Sequence, residues 1–143
     1  MTTTAARVVE GLPGFETVEV ILEGESLLVA LADTRDLRTQ GLMGVTDLGG
    51  LDGMVFVFPD PSVHTFWMKD TLIPLDLAFF ATDGSLLGVL TLEPCPSGAC
   101  PSYGVGEPSQ WAIEVPAGGF ADLPLDATLD VGRDPFLALF SES

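Results

Sequence analysis

Basic residues are scarce in this chain, which has 5 Lys plus Arg against 21 Asp plus Glu and a formal net charge of −16. Nucleic-acid binding relies on cations that neutralise phosphates, so we expect no nucleic-acid partner. An anionic membrane surface is disfavoured for the same reason. The ordinary consequence of such acidity is solubility, and attraction of a cationic partner is the alternative.

Long hydrophobic runs are also missing, although 47% of the residues are hydrophobic. No apolar stretch approaches the roughly 18 residues of a membrane-spanning helix, so we expect no integral membrane segment. The first ten residues contain no apolar block and do not resemble a signal peptide. Because Gly11, Pro13 and Gly14 interrupt the start of the chain, we predict a flexible leader over residues 1–14.

The remaining residues, 15–143, are predicted to form a single β-rich domain, since 143 residues are too few for two ordinary domains. Short apolar or alternating segments separated by turn residues predict seven or eight strands in a compact β-barrel or a sandwich-like fold. One short helix is predicted near residues 33–41, with Asp33 as its N-cap and Gly41 at its C-terminal end. The predicted strands are 18–22, 27–31, 54–58, 64–69, 75–81, 86–92, 110–115 and 127–131, with the continuous apolar run 54–58 buried on both faces. Hairpin turns are predicted at 23–25 and 82–85, and the apolar tail 136–140 is expected to pack on the core.

Residues that commonly carry catalysis are few. His64 is the only histidine, and no Gly-X-Ser-X-Gly elbow marks a nucleophile. Two cysteines and a distant histidine do not make a zinc-site pattern, and the scattered carboxylates form no calcium-loop motif. We therefore expect no metal and no cofactor, and favour a non-enzymatic role. A hydrolase-type enzyme without a familiar motif stays an alternative.

Three stretches together resemble the family catalogued as domain of unknown function 192. They are Gly41 to Met43, Gly53 to Phe58, and the long Phe66 to Asp76 block, whose sequence is Phe-Trp-Met-Lys-Asp-Thr-Leu-Ile-Pro-Leu-Asp. Further matches are Pro101 to Tyr103, Glu114 and Ala117-Gly118, so the resemblance extends from about Val18 to Val131. It implies a small β-rich fold and relatives that are often exported behind a leader or lipid anchor. It implies no activity.

Two positions depart from the family pattern. Asp70 stands where Asn is usual after the lysine, and Val45 stands where a basic residue usually follows Gly-Leu-Met. If these positions bind an anion in relatives, this chain lacks that feature. The resemblance places the protein outside the cell or in the cell envelope after removal of a leader, and a cytoplasmic location is the alternative.

Cys95 and Cys100 are the only cysteines and flank a short loop rich in turn residues. An exported protein favours a disulfide between them. The spacing is not Cys-X-X-Cys, which argues against a redox-active pair. The predicted role is to hold the loop between Pro94 and Pro108.

Lys69, the only lysine, and Asp76 both lie among large apolar residues. An isolated buried charge is costly, so the first interpretation is an ion pair between them that fixes a hairpin. In strand geometry Phe66 and Met68 face one way, and Trp67 and Lys69 the other. The second interpretation is the floor of a pocket in which Lys69 meets an anionic or polyhydroxylated ligand, and the third is Lys69 as a nucleophile or Schiff-base former.

The leading functional hypothesis is a non-catalytic binding module for a small polar or carbohydrate-like ligand. The predicted ligand-binding residues are Trp67, Lys69, Asp70, Asp76, Tyr103 and Glu114, because an aromatic face can stack on a sugar ring while carboxylates accept hydroxyl hydrogens. The alternative is a structural or protein-interaction domain with a buried Lys69–Asp76 pair. We expect a monomer whose partner is a small ligand or a protein.

Overall fold

The computed structural model describes residues 8–9 and 12–131, and within them the chain is mainly β, as predicted. It contains one helix, α1 (Arg35–Gln40). The strands are β1 (Val8–Val9), β2 (Leu12–Leu22), β3 (Glu25–Ala32), β4 (Gly53–Val63), β5 (Phe66–Trp67), β6 (Leu75–Phe80), β7 (Leu86–Leu92), β8 (Ser102–Tyr103) and β9 (Pro108–Pro116).

Seven strands form one sheet in the order β1-β2-β3-β4-β9-β6-β7, and β5 pairs with β8 in a small separate sheet. The neighbouring strands are antiparallel except β3 and β4, which are parallel and are connected through α1. The described strands leave β1 and β7 as open edges, so the barrel form of the prediction was wrong. The sandwich-like form is consistent with the structure, because both faces of the large sheet are covered.

Each face of the large sheet carries its own hydrophobic core. The alternation of side chains along a strand separates them: in β4, Met54, Phe56 and Phe58 point into the first core, while Val55 and Val57 point into the second. The prediction that the 54–58 run is buried on both faces is therefore confirmed. The small β5–β8 sheet, α1 and the 41–51 segment lie on the first-core face, and the segment around Phe120 and Leu129 covers the second.

Two predicted turns are confirmed. Glu23 and Gly24 connect β2 to β3 with positive φ angles of 51° and 79°. Between β6 and β7, Asp83 Oδ1 accepts a hydrogen bond from Ser85 N at 2.9 Å. At Gly84, φ is 91° and a Cβ atom would lie 2.1 Å from the Leu129 carbonyl oxygen, so glycine is required there.

The helix prediction is confirmed in position and corrected at its start. Thr34, not Asp33, is the N-cap, and its Oγ1 accepts a hydrogen bond from Leu37 N at 3.1 Å. Thr34 has the extended backbone that an N-cap needs, and its hydroxyl reaches the third helical amide. Gly41 ends the helix at a φ of 47°, as predicted.

The ends of the chain differ in part from the predictions. Val8–Val9 and Leu12 to Gly14, which fall within the predicted leader, belong to β1 and β2. The flexible leader over residues 1–14 stays a prediction. The predicted strand at 127–131 is reduced to isolated bridges, Leu22 with Leu129 and Ser85 with Thr128. The apolar tail from Phe136 to Phe140 lies outside the described residues.

Candidate ligand-binding cleft

A solvent-open cleft of about 620 Å³ lies on the first-core face, between α1 with its following turn, the second half of β4, and β5. A volume of this size is in the range of small-molecule sites, roughly 300–1,000 Å³. The polar groups that line it come mainly from α1, β4 and the segment after β4, and they are Arg35, Arg38, Thr39, Gln40, Asp60, Ser62, His64, Thr65, Thr71, Ser102 and Glu114.

Glu114 contributes a carboxyl group from the sheet itself. It lies in β9 opposite Met54 of β4 and Leu77 of β6, so its side chain shares the first-core face with them. The residue is 4% exposed, and no described residue donates a hydrogen bond to its carboxyl group. Burial raises the pKa of Glu114 from 4.5 to about 8. At neutral pH the group is therefore mostly a neutral carboxylic acid, which both donates and accepts a hydrogen bond.

The close packing around Glu114 depends on Gly53, the first residue of β4. A Cβ atom at that position would lie 2.0 Å from the Glu114 carbonyl oxygen. Any other side chain would push β9 away from β4 and displace Glu114. The Gly-Met-Val-Phe-Val-Phe stretch therefore has a geometric reason to begin with glycine.

Two arginines of α1 line the mouth of the cleft. Arg38 is half-buried, its Nη1 donates to the Val57 carbonyl at 2.9 Å, and its guanidinium lies 5.5 Å from the centroid of the Phe58 ring. Burial lowers the pKa of Arg38, an effect that the Asp33 charge opposes and the nearby Arg35 charge reinforces. Arg35 is exposed. Neither arginine forms an ion pair within 4.0 Å with a carboxylate of the described residues.

His64 follows β4 and forms part of the lining. Its ring stacks on Phe58 with the centroids 3.5 Å apart and an interplanar angle of 11°. Nε2 is buried and has no hydrogen-bond partner among the described residues. Burial lowers the pKa of His64, while a backbone hydrogen bond at Asp60 raises it and Arg38 lowers it further. The imidazole is therefore neutral at pH 7, with an unused nitrogen.

Trp67 lines the cleft and is 50% exposed, whereas its neighbour Phe66 packs edge-on against Phe56, Phe58 and Phe79. Met68 is buried and Lys69 is exposed. The alternation predicted for the Phe66 to Lys69 segment is thus confirmed. The Lys69 ammonium lies 5.5 Å from the centroid of the Trp67 ring, a distance at which a cation is attracted to an aromatic face.

Asp76 does not belong to this cleft, because it points to the opposite face of the sheet. Its Oδ2 accepts hydrogen bonds from Gly118 N at 2.9 Å and Phe120 N at 3.1 Å, and its Oδ1 accepts one from the Thr91 hydroxyl at 2.8 Å. The predicted Lys69–Asp76 ion pair is not formed. The carboxylate is satisfied by backbone amides, and the ammonium lies at the surface beside Trp67.

The two other predicted ligand-binding residues also lie outside the lining. Asp70 is exposed and has a φ of 59°, and its carbonyl accepts a hydrogen bond from Gly44 N at 2.8 Å. Asn and Asp tolerate this left-handed backbone better than other non-glycine residues, which explains why either suits the position. Tyr103 is half-buried in β8, where it pairs with Phe66 and packs against the first core.

The predicted disulfide between Cys95 and Cys100 is present. It lies next to the strand segment that carries Trp67: Asp70 N donates to the Cys95 carbonyl at 3.0 Å, and Cys95 N donates to the Thr71 carbonyl at 3.3 Å. Farther along the same loop, Ser102 pairs with Trp67. The loop therefore supports the wall of the cleft from behind.

Sequence reasoning missed Arg35, Arg38 and the role of His64. A usable signal was present, because a chain with five basic residues places two of them three positions apart on its one predicted helix. No group of three or more metal-ligating side chains occurs in the part of the chain that the structure describes. No helix among these residues is long and apolar enough to cross a membrane.

The fold and the cleft define a small, open-sheet β domain with an uncharged carboxyl group at the base of a polar cleft. The chain belongs to the DUF192 family, described as uncharacterized ACR, whose model matches residues 18–131. No curated protein matches the chain.

Two solved structures are similar. A protein of unknown function from Novosphingobium aromaticivorans has 26% sequence identity and a TM-score of 0.74, with 88% of this chain and 92% of that chain covered. A suggested transcription regulator from Sinorhizobium meliloti has 30% identity and a TM-score of 0.66, with 81% of this chain and 92% of that chain covered.

Proposed function

We propose that the chain is a non-catalytic binding module for a small polar, carbohydrate-like ligand that occupies the first-core cleft. One observation carries the proposal: a buried carboxyl group, Glu114, has no hydrogen-bond partner among the described residues and faces an open cleft. Buried polar groups normally find partners, so one without a partner calls for an explanation. A ligand hydroxyl would supply the missing hydrogen bond.

The surroundings suit a ring with hydroxyl groups. Trp67 lines the cleft and is 50% exposed. An aromatic face buries the apolar side of a sugar while the hydroxyls remain free for polar groups. His64 Nε2 is a second unused hydrogen-bonding atom in the same lining. Lys69 lies at the rim, against Trp67.

The lining supplies no set of groups that marks a reaction. His64 has no serine or cysteine nucleophile hydrogen-bonded to it in the described structure, and the two cysteines are joined to each other. The regulatory role suggested for the Sinorhizobium meliloti relative does not lead us to propose DNA binding by this chain, because a net charge of −16 opposes contact with phosphates.

A thermal-shift screen against sugars, polyols and small anions tests the proposal. A ligand at 100 times its Kd stabilises by about 2.7 kcal/mol, which raises Tm by several degrees in a domain of this size. The shift should disappear in Trp67→Ala and in Glu114→Met, which removes the hydrogen-bonding group and keeps an apolar side chain of similar length. Leu125→Ala is the matched control, because Leu125 is 91% exposed and lies outside the cleft.

Tryptophan fluorescence tests independently whether the ligand binds in the cleft. Of the two tryptophans, Trp111 is buried and Trp67 is half-exposed, so a ligand in the cleft should blue-shift the emission of Trp67. The change should be lost in Trp67→Phe. Binding that persists unchanged in Trp67→Ala and Glu114→Met would remove this cleft from consideration.

The same proposal includes export from the cytoplasm as a monomer. The disulfide supports export, since such bonds persist in oxidising compartments. Fractionation of the source cells, combined with thiol labelling of the native protein, tests it. A reduced Cys95–Cys100 pair in a cytoplasmic fraction would contradict it.

A further inference from the structure

Among the residues that the structure describes, the positive charges lie at or beside the cleft. In the described residues the cationic side chains are Arg35, Arg38 and Lys69. Two of them line the cleft, and the third lies against Trp67, which also lines it. In a chain with 21 acidic residues, electrostatic attraction alone would place each of the few cationic side chains next to a carboxylate.

The two arginines retain unused hydrogen-bonding capacity. A guanidinium group has five N–H donors in a planar fork, which matches the oxygens of carboxylates and phosphates. Arg38 uses one donor on the Val57 carbonyl, and neither arginine forms an ion pair with a described carboxylate. No ion pair with a described carboxylate offsets the repulsion between the Arg35 and Arg38 charges.

Other charged and titratable groups face the same space. Asp60 lines the cleft and supplies one negative charge, Asp33 acts on Arg38 from the start of the helix, and His64 is neutral at pH 7. Glu114 is mostly uncharged at pH 7, because burial raises its pKa to about 8. With two arginines against Asp33 and Asp60, the formal charge at the mouth is therefore near neutral, in contrast to the strongly negative chain.

We propose that the ligand of the cleft carries an anionic oxygen group, a carboxylate or a phosphate, which binds Arg35 and Arg38 while its hydroxyls reach Glu114 and its ring lies on Trp67. The inference rests on the proposed function and sharpens it from a polar ligand to an acidic sugar or polyol. The two arginines bind the anion through their free N–H donors, and the neutral acid at the base of the cleft donates a hydrogen bond without repelling it.

The test compares three probes that share one ring: glucose, glucuronate and glucose 6-phosphate. Isothermal titration calorimetry on the full chain at low salt should show at least one acidic probe binding about tenfold or more tightly than glucose, because charged hydrogen bonds to a guanidinium are strong. Which acidic probe binds distinguishes a carboxylate from a phosphate. Salt at about 0.5 M, which shortens the screening length to a few ångströms, should reduce the preference.

Arg35→Gln is the cleanest variant, because Arg35 is exposed and makes no contact that the fold needs. It should lower the affinity for the acidic probe several-fold and leave glucose unaffected, and Arg38→Lys should do the same by removing the fork while keeping the charge. Glucose binding in each variant serves as the internal control for an intact cleft.

Each outcome of this comparison is decisive. A preference for an acidic probe that Arg35→Gln weakens supports the inference. Equal binding of glucose and its acidic counterparts overturns it and leaves the proposed function standing. Binding of none of the three also overturns it, and the wider screen of neutral polyols then decides the proposed function separately.

Discussion

The two faces of the large sheet each bury one carboxyl group, and the two groups have opposite surroundings. Asp76 of β6 and Glu114 of β9 are each 4% exposed and lie on adjacent strands. Asp76 receives three hydrogen bonds on the second-core face, from two backbone amides and one hydroxyl. Glu114 receives none from the described residues on the first-core face, and burial raises its pKa to about 8.

The difference separates a structural carboxylate from one available to a ligand. Asp76 holds the 118–120 turn against the sheet, so its partners are fixed by the fold. Burial of the Glu114 carboxyl group is unfavourable, and no contact with a described residue offsets that cost. This residue lines the cleft. Burial without a partner does not by itself identify a site in this chain, since Thr17 Oγ1 and Ser109 Oγ are also buried without one among the described residues and lie outside the cleft. Glu114 differs from them because it lines the cleft.

The largest effect should come from Asp76→Ala. This change leaves the buried Phe120 amide, the part-buried Gly118 amide and the Thr91 hydroxyl without their acceptor, so we expect a loss of roughly 4 kcal/mol in the free energy of unfolding. Urea denaturation measures it. Thr91→Val, which removes only one of the three donors, should cost about 1 kcal/mol. Equal losses in the two variants would contradict the assignment of Asp76 as the anchor of the turn.

Glu114→Gln should show the opposite behaviour and a dependence on pH. The folded pKa of about 8 lies above the ordinary 4.5, so between these values the folded chain keeps a proton that the unfolded chain has released. The free energy of unfolding of the wild type should therefore fall as pH rises through this window. Because a tenfold difference in proton affinity between the folded and unfolded chains corresponds to about 1.4 kcal/mol, the total fall reaches a few kcal/mol.

The informative quantity is the difference in unfolding free energy between wild type and Glu114→Gln at each pH, since the contributions of all other carboxylates cancel. At about pH 5 the two proteins should have similar stability, and at about pH 8 to 9 the variant should be the more stable. A difference that does not change with pH would mean that Glu114 is ionised in the folded protein. That result would remove the contrast with Asp76.

A smaller loss should follow from replacing both cysteines with serine. The disulfide closes a very short loop, so its removal should cost roughly 2 kcal/mol, measured by chemical denaturation. The emission of Trp67 should shift to longer wavelength, because its side chain should become more exposed to solvent. The Cys95 region hydrogen-bonds to Asp70 and Thr71 behind this residue. Unchanged ligand affinity in this variant would show that the wall of the cleft stands without the disulfide.

The smallest effect should come from Lys69→Met. Lys69 is exposed and lies on Trp67 without an ion pair to a described carboxylate, so the free energy of unfolding should change by less than about 0.5 kcal/mol. An ion pair with Asp76 would instead make this single change strongly destabilising. Thermal and urea unfolding of Lys69→Met, beside Lys69→Gln as the polar control, distinguish the two cases.

Much of the fold could be predicted from local patterns. The Asp83-Gly84 turn with the strands around it, the doubly buried 54–58 run and the short helix all follow from turn chemistry and periodicity. The order of strands in the sheet could not be predicted, because β4 pairs with β9 across some fifty residues of chain and nothing local specifies that partner.

The candidate site was predicted only in part for the same reason. Trp67 and Glu114 were identified as ligand-binding candidates, and both line the cleft. Asp76 was grouped with Lys69 because the two are close in sequence, but strand alternation turns Asp76 to the other face. Arg35 and Arg38 line the cleft because α1 packs against the sheet at this place. Local sequence patterns do not specify that packing.

The most direct test is a pH titration of the glutamate side-chain carboxyl carbons by NMR, with Glu114→Gln used to assign the resonance. We expect one carboxyl that titrates with a pKa of about 8 in the free protein and whose pKa changes when the sugar or polyol that binds most tightly is added at saturation. Titration of Glu114 near its ordinary value, or a pKa that the bound ligand leaves unchanged, would contradict the claim that this carboxyl faces the ligand.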